Sequence, residues 1–242
     1  MAVSGYLGAE EEWQQFEPGW RQVLDTFGVD MFHMTEFECR LRAFQSWTND
    51  TRKAFLGQLI GLVSRHTIVG VGAAIVMKDY DSLSPDDRKR LGHPYVMCGL
   101  KAVADTLQWI DDEVARQVAT GRWVRTEAGK NLPVSVEFVF EAGDEDAGEL
   151  GEQLRKEQAS GKFAGRILRW SFEDKRGVAA LQAADFAAYE TTKQLVRTIG
   201  ADERAMRKSL EMFVSNTPYI AEYFDTRSMG ELLEIVSRDD TA

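Results

Sequence analysis

Three segments carry residue types that could do chemistry. The run Leu181-Gln-Ala-Ala-Asp-Phe-Ala-Ala-Tyr-Glu190 sets Gln182, Asp185 and Tyr189 at i, i+3 and i+7, one face of a helix. An aspartate in so alanine-rich a helix is costly unless it is paired, hydrogen-bonded or bound to a cation. Asp185 is therefore either a structural residue that caps a loop or meets an arginine, or a cation ligand. Glu141 stands at the carboxyl end of the apolar run 133–140, and Asp144 follows beyond Gly143. Ligands of open α/β sheets gather outside the carboxyl ends of strands; an acidic turn in solvent is the plain alternative. In Phe32-His-Met-Thr-Glu-Phe37, His33 and Glu36 fall where an apolar stretch hands over to a helix. Both also have structural explanations: a satisfied core histidine, and an acid favoured by the positive end of a helix.

Other chemistries lack their residues. There is no Gly-rich phosphate loop followed by Lys-Ser/Thr, no dinucleotide glycine pattern and no Gly-x-Ser-x-Gly elbow. His33, His66 and His93 share no zinc-ligand spacing. Cys39 and Cys98 make neither a disulfide framework nor a metal spacing, which fits a reducing cytoplasm. No apolar run is long enough to span a bilayer, and no signal-peptide pattern opens the chain, so no membrane partner is expected. The net charge of −10 counts against a strong sequence-independent nucleic-acid binder. It leaves room for a local basic groove, or for an acidic site that reaches phosphate through a divalent cation.

Elements must hold these residues in place. The pattern predicts a strand at 2–7, then a helix from Glu10 to about Phe27 that Pro18 either kinks or splits. Trp13, Phe16 and Trp20 read as its core face. Residues 30–34 are expected as a short strand, followed by a helix over 36–44 with Thr35 and Glu38 as its capping box. A helix at 50–64, a buried strand at 67–77, and a polar loop with a helical turn at 80–94 come next. A long amphipathic helix at 95–120 and an exposed connection at 122–131 precede the strand 133–140. A helix at 146–160, a strand at 167–172 and a helix at 178–196 follow. From 202 onward the chain reads as helical and polar, with a disordered tail after 238. Alternating helices and strands give an α/β layered fold. Without repeat or linker, residues 1–242 read as one domain with a helical C-terminal extension from about 200.

Taken together and in order, four segments resemble the domain-of-unknown-function 3800 family. They are Gly5-Tyr-Leu-Gly8 with the Glu-Trp that follows, Phe32 to Phe37, Phe138-Val-Phe-Glu-Ala-Gly-Asp144, and Leu181 to Tyr189, spanning residues 3 to about 195. The resemblance implies a ribonuclease H-like fold, a central mixed sheet with helices on both faces. It implies an acidic cluster for two divalent cations, Mg²⁺ or Mn²⁺, with Glu141 from a middle strand end, Asp185 from a late helix, and Glu36 as a further ligand. Family members usually open with a strand bearing Asp-Glu-Ser-Gly. This sequence is expected to start just after it, at the second strand, which leaves a sheet position unpaired and invites association, including homo-oligomers.

The expected function is cation-dependent hydrolysis of a phosphodiester, nuclease-like, with Glu141, Asp185, Glu36 and His33 as catalytic candidates and Glu141, Asp185 and Asp144 as metal ligands. The rival is a catalytically inactive ribonuclease H-like module for binding or assembly, which the acidic charge and the absent first carboxylate favour.

Overall fold

The computed structural model describes residues 1–120, 134–143, 146–163, 165–200 and 206–239. The expected connection at 122–131, Asp144 and the last residues of the expected tail lie outside these.

The chain begins with β1 (Ala2–Leu7), followed by α1 (Glu10–Phe27), which runs unbroken through Pro18. Gly28, at φ 66°, ends it by returning its N–H to Asp25 O at 3.1 Å. Next come α2 (Met34–Glu38), α3 (Asn49–His66) and β2 (Val69–Ile75). The polar stretch expected as a loop with one helical turn holds two short helices, α4 (Met77–Ser82) and α5 (Pro85–Leu91). Ser84 caps the second of them, accepting the Asp87 N–H. The remaining elements are α6 (Pro94–Ala119), β3 (Val136–Glu141), α7 (Ala147–Ala159), β4 (Ile167–Glu173), α8 (Ala179–Ile199), α9 (Lys208–Asn216), β5 (Tyr219–Phe224) and α10 (Thr226–Asp239).

Two small sheets stand where one central sheet was expected. β1 pairs antiparallel with β2, which pairs parallel with β5; β3 pairs parallel with β4. β2 is buried along its whole length, as a central strand must be, and its sequence Val-Gly-Val-Gly-Ala-Ala-Ile is apolar throughout. Its glycines make room for a neighbour: a Cβ on Gly70 would lie 2.3 Å from the Tyr219 ring. β5 corrects the expectation of a purely helical C-terminal part. Its alternation, Tyr-Ile-Ala-Glu-Tyr-Phe, is strand-like, and its pairing with β2 lies about 150 residues away in sequence, beyond the reach of local reading.

Helices cover both faces of the first sheet. Val3 and Leu7 of β1 face the core that includes α6, whereas Ser4 bonds Thr191 of α8 at 3.4 Å and Tyr6 meets Phe213. Around α1, α3 and α8 lies an aromatic core that includes Phe16, Trp20, Phe32, Phe37, Phe44 and Phe55, so Phe16 and Trp20 are core residues as expected. A second core joins α6 and α7 to β3 and β4.

The segment between α1 and α3 differs most from expectation. Residues 30–34, expected as a strand, form none: they have no strand neighbour, and the N–H groups of Phe32 and Met34 are taken by side chains of α8. The helix expected over 36–44 stops at Glu38, because Arg40 (φ 54°) and Arg42 (φ 49°) turn the chain left-handed; a 3₁₀ turn at Arg42–Phe44 follows. His33, not Thr35, is the N-cap residue, and Glu38 pairs with Arg52 and Arg207 rather than closing a capping box.

Cys98 is fully buried in α6, and burial pushes its thiol up to about 12, while Cys39 is exposed. Only the thiolate reacts. A thiol reagent should therefore label Cys39 in the native protein and Cys98 only after unfolding, as mass spectrometry of the labelled peptides will show. Native labelling of Cys98 would contradict this packing.

Candidate functional site

Asp185 sits in the N-terminal half of α8, where Ala179, Ala183 and Ala187 let the helix pack closely in the core. One of its oxygens, Oδ2, accepts the Met34 N–H at 2.7 Å, and His33 Nδ1 lies 3.6 Å from the same atom. The other, Oδ1, lies 3.8 Å from Lys175 Nζ. The same ammonium is 2.7 Å from Glu141 Oε1 at the end of β3. Two carboxylates 44 positions apart in sequence thus converge on one cationic nitrogen. Division of labour between the Asp185 oxygens follows: one fixes the backbone at the start of α2, and one is left for a cation.

Gln182, one turn before Asp185, holds the surroundings. Its side-chain oxygen accepts from Trp20 Nε1 at 3.1 Å and from the Phe32 N–H at 2.9 Å, and its amide nitrogen donates to Lys175 O at 2.9 Å. This buried amide ties together α1, the His33 segment and the turn that carries Lys175. Glu17 of α1 adds a second tie by accepting the Ala179 N–H at 2.8 Å, and Arg21 donates to Gly177 O at 3.1 Å. Replacing Gln182 by leucine leaves buried donors on Trp20 and Phe32 without an acceptor. The expected loss is about 2 kcal/mol of stability, read from the midpoint and slope of urea unfolding. An unchanged midpoint would mean that these donors find other partners.

The sequence-based candidates are distributed unevenly. Glu141, Asp185 and His33 come together. Glu36 turns to Arg42 at 3.1 Å. Asp144 lies outside the described residues. Lys175 was not foreseen: it sits in the turn Glu173-Asp-Lys-Arg-Gly177, where nothing local distinguishes it from a solvated lysine, yet its side chain is only 14% exposed.

Among the described residues, no group of three or more His, Cys, Asp or Glu side chains is placed to hold a metal. The pair nevertheless suits a hard divalent cation, which commonly takes one or two carboxylates and keeps waters or phosphate oxygens on its other positions. Two observations support that fit. The carboxylates already enclose a positive charge. His33 Nδ1 is buried without a hydrogen-bond partner beside Asp185, an unused donor or acceptor at the same point.

No protein-family model, curated protein or solved structure matches this chain. Among the described residues, no helix is long and apolar enough to cross a membrane.

Proposed function

We propose that this chain is a divalent-cation-dependent phosphodiester hydrolase of nuclease type, with Glu141 and Asp185 as its cation ligands. The observation that carries the reading is the shared ammonium: Glu141 and Asp185 are folded from distant segments onto one positive charge. Mg²⁺ or Mn²⁺ at that position would polarise a phosphodiester and acidify a water. The chain's own residues do the rest. The Met34 N–H orients the Asp185 carboxylate, and Gln182 fixes the segment that presents His33, whose Nδ1 lies beside Asp185 without a hydrogen-bond partner. Lys175 serves as the counter-ion that keeps two carboxylates together without a metal, and in the working enzyme it neutralises phosphate instead. The ordered resemblance to the domain-of-unknown-function 3800 family supports the same reading.

The test is direct. The purified chain is incubated with single- and double-stranded DNA and RNA in Mg²⁺, in Mn²⁺ and in chelator. Cleavage in the metals and none in chelator is expected. No cleavage of any substrate at any metal concentration would overturn the reading.

A second reading rests on Lys175 itself. An ammonium between two carboxylates also describes a structural ion pair, as in a catalytically inactive ribonuclease H-like module that binds a partner. That module would show no cleavage, and Lys175→Met would destabilise it without creating a metal site.

A further inference from the structure

We infer that Glu17 and Arg21 of α1 are positioning residues for the cation site. They hold the turn between β4 and α8 so that Lys175 delivers its ammonium to Glu141 and Asp185, and they thereby set how readily a divalent cation enters. This role rests on the reading of Glu141 and Asp185 as cation ligands.

The turn itself gives Lys175 no reason to point inward. Asp174 closes it, accepting the Arg176 N–H on Oδ1 at 2.8 Å and the Gly177 N–H on its carbonyl at 2.9 Å. The side chains on either side of Lys175 reach into solvent, Asp174 at 63% and Arg176 at 80% exposure, against 14% for Lys175. Partners from outside the turn make the difference. Gln182 of α8 donates to Lys175 O at 2.9 Å. The other ties come from α1.

Glu17 and Arg21 stand about one helical turn apart on α1 and act as a pair. Arg21 Nη2 donates to Glu17 Oε1 at 2.5 Å and to Gly177 O at 3.1 Å. Glu17 Oε2 accepts the Ala179 N–H at 2.8 Å. Val178, the N-cap residue of α8, has no polar side chain. Glu17 therefore supplies, from another helix, an acceptor for the open end of α8, and its charge suits the positive end of that helix. The pair grips residues 177–179, the link between the Lys175 turn and the helix that carries Asp185. With that link fixed, Lys175 and Asp185 are held in one relation to each other.

An ammonium and a divalent cation exclude each other between the same two carboxylates. The cation binds only those molecules that Lys175 has left, so its apparent affinity falls with their fraction. A grip that favours the inward turn lowers this fraction, and loss of the grip raises it. Arg21 is half-exposed, so its bond to Gly177 O belongs at the low end of a net hydrogen bond, about threefold in the equilibrium.

Arg21→Met keeps the aliphatic stem of the side chain and removes the guanidinium. The full chain, as wild type, Arg21→Met, Lys175→Met and the double variant, is titrated with Mn²⁺ by calorimetry. Without metal, the wild type and Arg21→Met are treated with an amine-acylating ester, and mass spectrometry gives the rate at Lys175 relative to exposed Lys162. Arg21→Met is expected to tighten Mn²⁺ binding about threefold and to speed acylation of Lys175 by about the same factor. In the Lys175→Met background the same change should leave Mn²⁺ affinity as it was, because the pair acts through Lys175. Glu17→Gln keeps an acceptor for the Ala179 N–H and loses the charge that holds Arg21, so it should act as Arg21→Met does. An equal change of Mn²⁺ affinity in both backgrounds would make the pair an ordinary support of α8 and overturn the assignment. Unchanged or weakened Mn²⁺ binding in Arg21→Met, or unchanged acylation of Lys175, would overturn it too. Mn²⁺ binding in none of the four proteins would overturn the cation-site reading and this role with it. Binding in the wild type and Lys175→Met with no effect of Arg21→Met would overturn this role alone.

Discussion

Replacing Asp185 by asparagine is expected to lower cation-dependent cleavage by more than about a hundredfold, because even residues that only orient metal ligands cost about 10–100-fold. The substitution is chosen for what it spares. The asparagine carbonyl can still accept the Met34 N–H that Asp185 Oδ2 now accepts at 2.7 Å. The other oxygen, which faces Lys175, becomes an uncharged amide and loses its value to a divalent cation. Fold stability should therefore change little while activity is lost. Asp185→Ala should lose both, since the Met34 N–H then has no acceptor. Glu141→Gln is expected to match the asparagine variant, as its carboxylate meets the same ammonium from the other side. If Asp185→Asn cleaves as well as the wild type, these carboxylates are an ion pair and nothing more.

Glu190 should show the largest effect on stability. Its side chain is wholly buried in α8 and is held by Arg207 Nε at 3.1 Å and Ser209 Oγ at 2.8 Å. Arg207 also reaches Glu38 at 2.7 Å, and Glu38 meets Arg52. The network joins α8, α2, α3 and the approach to α9. Removing one member of a buried pair strands the other, at about 3–5 kcal/mol. Glu190→Ala belongs at the low end, about 3 kcal/mol, since Arg207 is partly exposed and keeps Glu38. Burial, the dominant influence, raises the Glu190 pKa, and Ser209 and Arg207 oppose it. The sign of the pH dependence follows. A raised carboxyl pKa means that the folded state binds protons more tightly than the unfolded state. This contribution to stability is full below the ordinary glutamate range and is lost as pH rises through the raised value. Glu190→Gln should flatten stability against pH across that interval in urea unfolding. An unchanged slope would show that the carboxylate titrates as it does in the unfolded chain.

The elements that local pattern can announce were legible. Val69–Ile75 is an unbroken apolar run, and α6 and α8 carry helical periodicity over more than five turns. What escaped depends on distance. β5 becomes a strand because Gly70 and Gly72 leave space for Tyr219 across β2, a fit between segments that no window spans. Residues 30–34 read as a strand, but Phe32 and Met34 donate to Gln182 and Asp185 of α8 and not to a neighbouring strand.

The site divides along the same line. Asp185 announced itself as a charge in an alanine-rich helix, and Glu141 as an acid at a strand end. Gln182 was visible as its neighbour on the same helical face, but not as the clamp on Trp20 and Phe32. Lys175 gave no signal, because a lysine in a charged turn acquires meaning only from the two carboxylates that meet it. Glu36 shows the converse: a first-turn acid at a suggestive junction that pairs with Arg42 instead.

In the proposed function, Glu141 and Asp185 form a cation site that Lys175 holds in the absence of metal. Titration of Mn²⁺ into the wild type, Glu141→Gln, Asp185→Asn and Lys175→Met, followed by calorimetry, tests it most directly. Binding in the wild type, loss in both carboxylate variants, and tighter binding in Lys175→Met, where no ammonium competes, are expected. Binding that is the same in all four proteins, or absent from both the wild type and Lys175→Met, would contradict it.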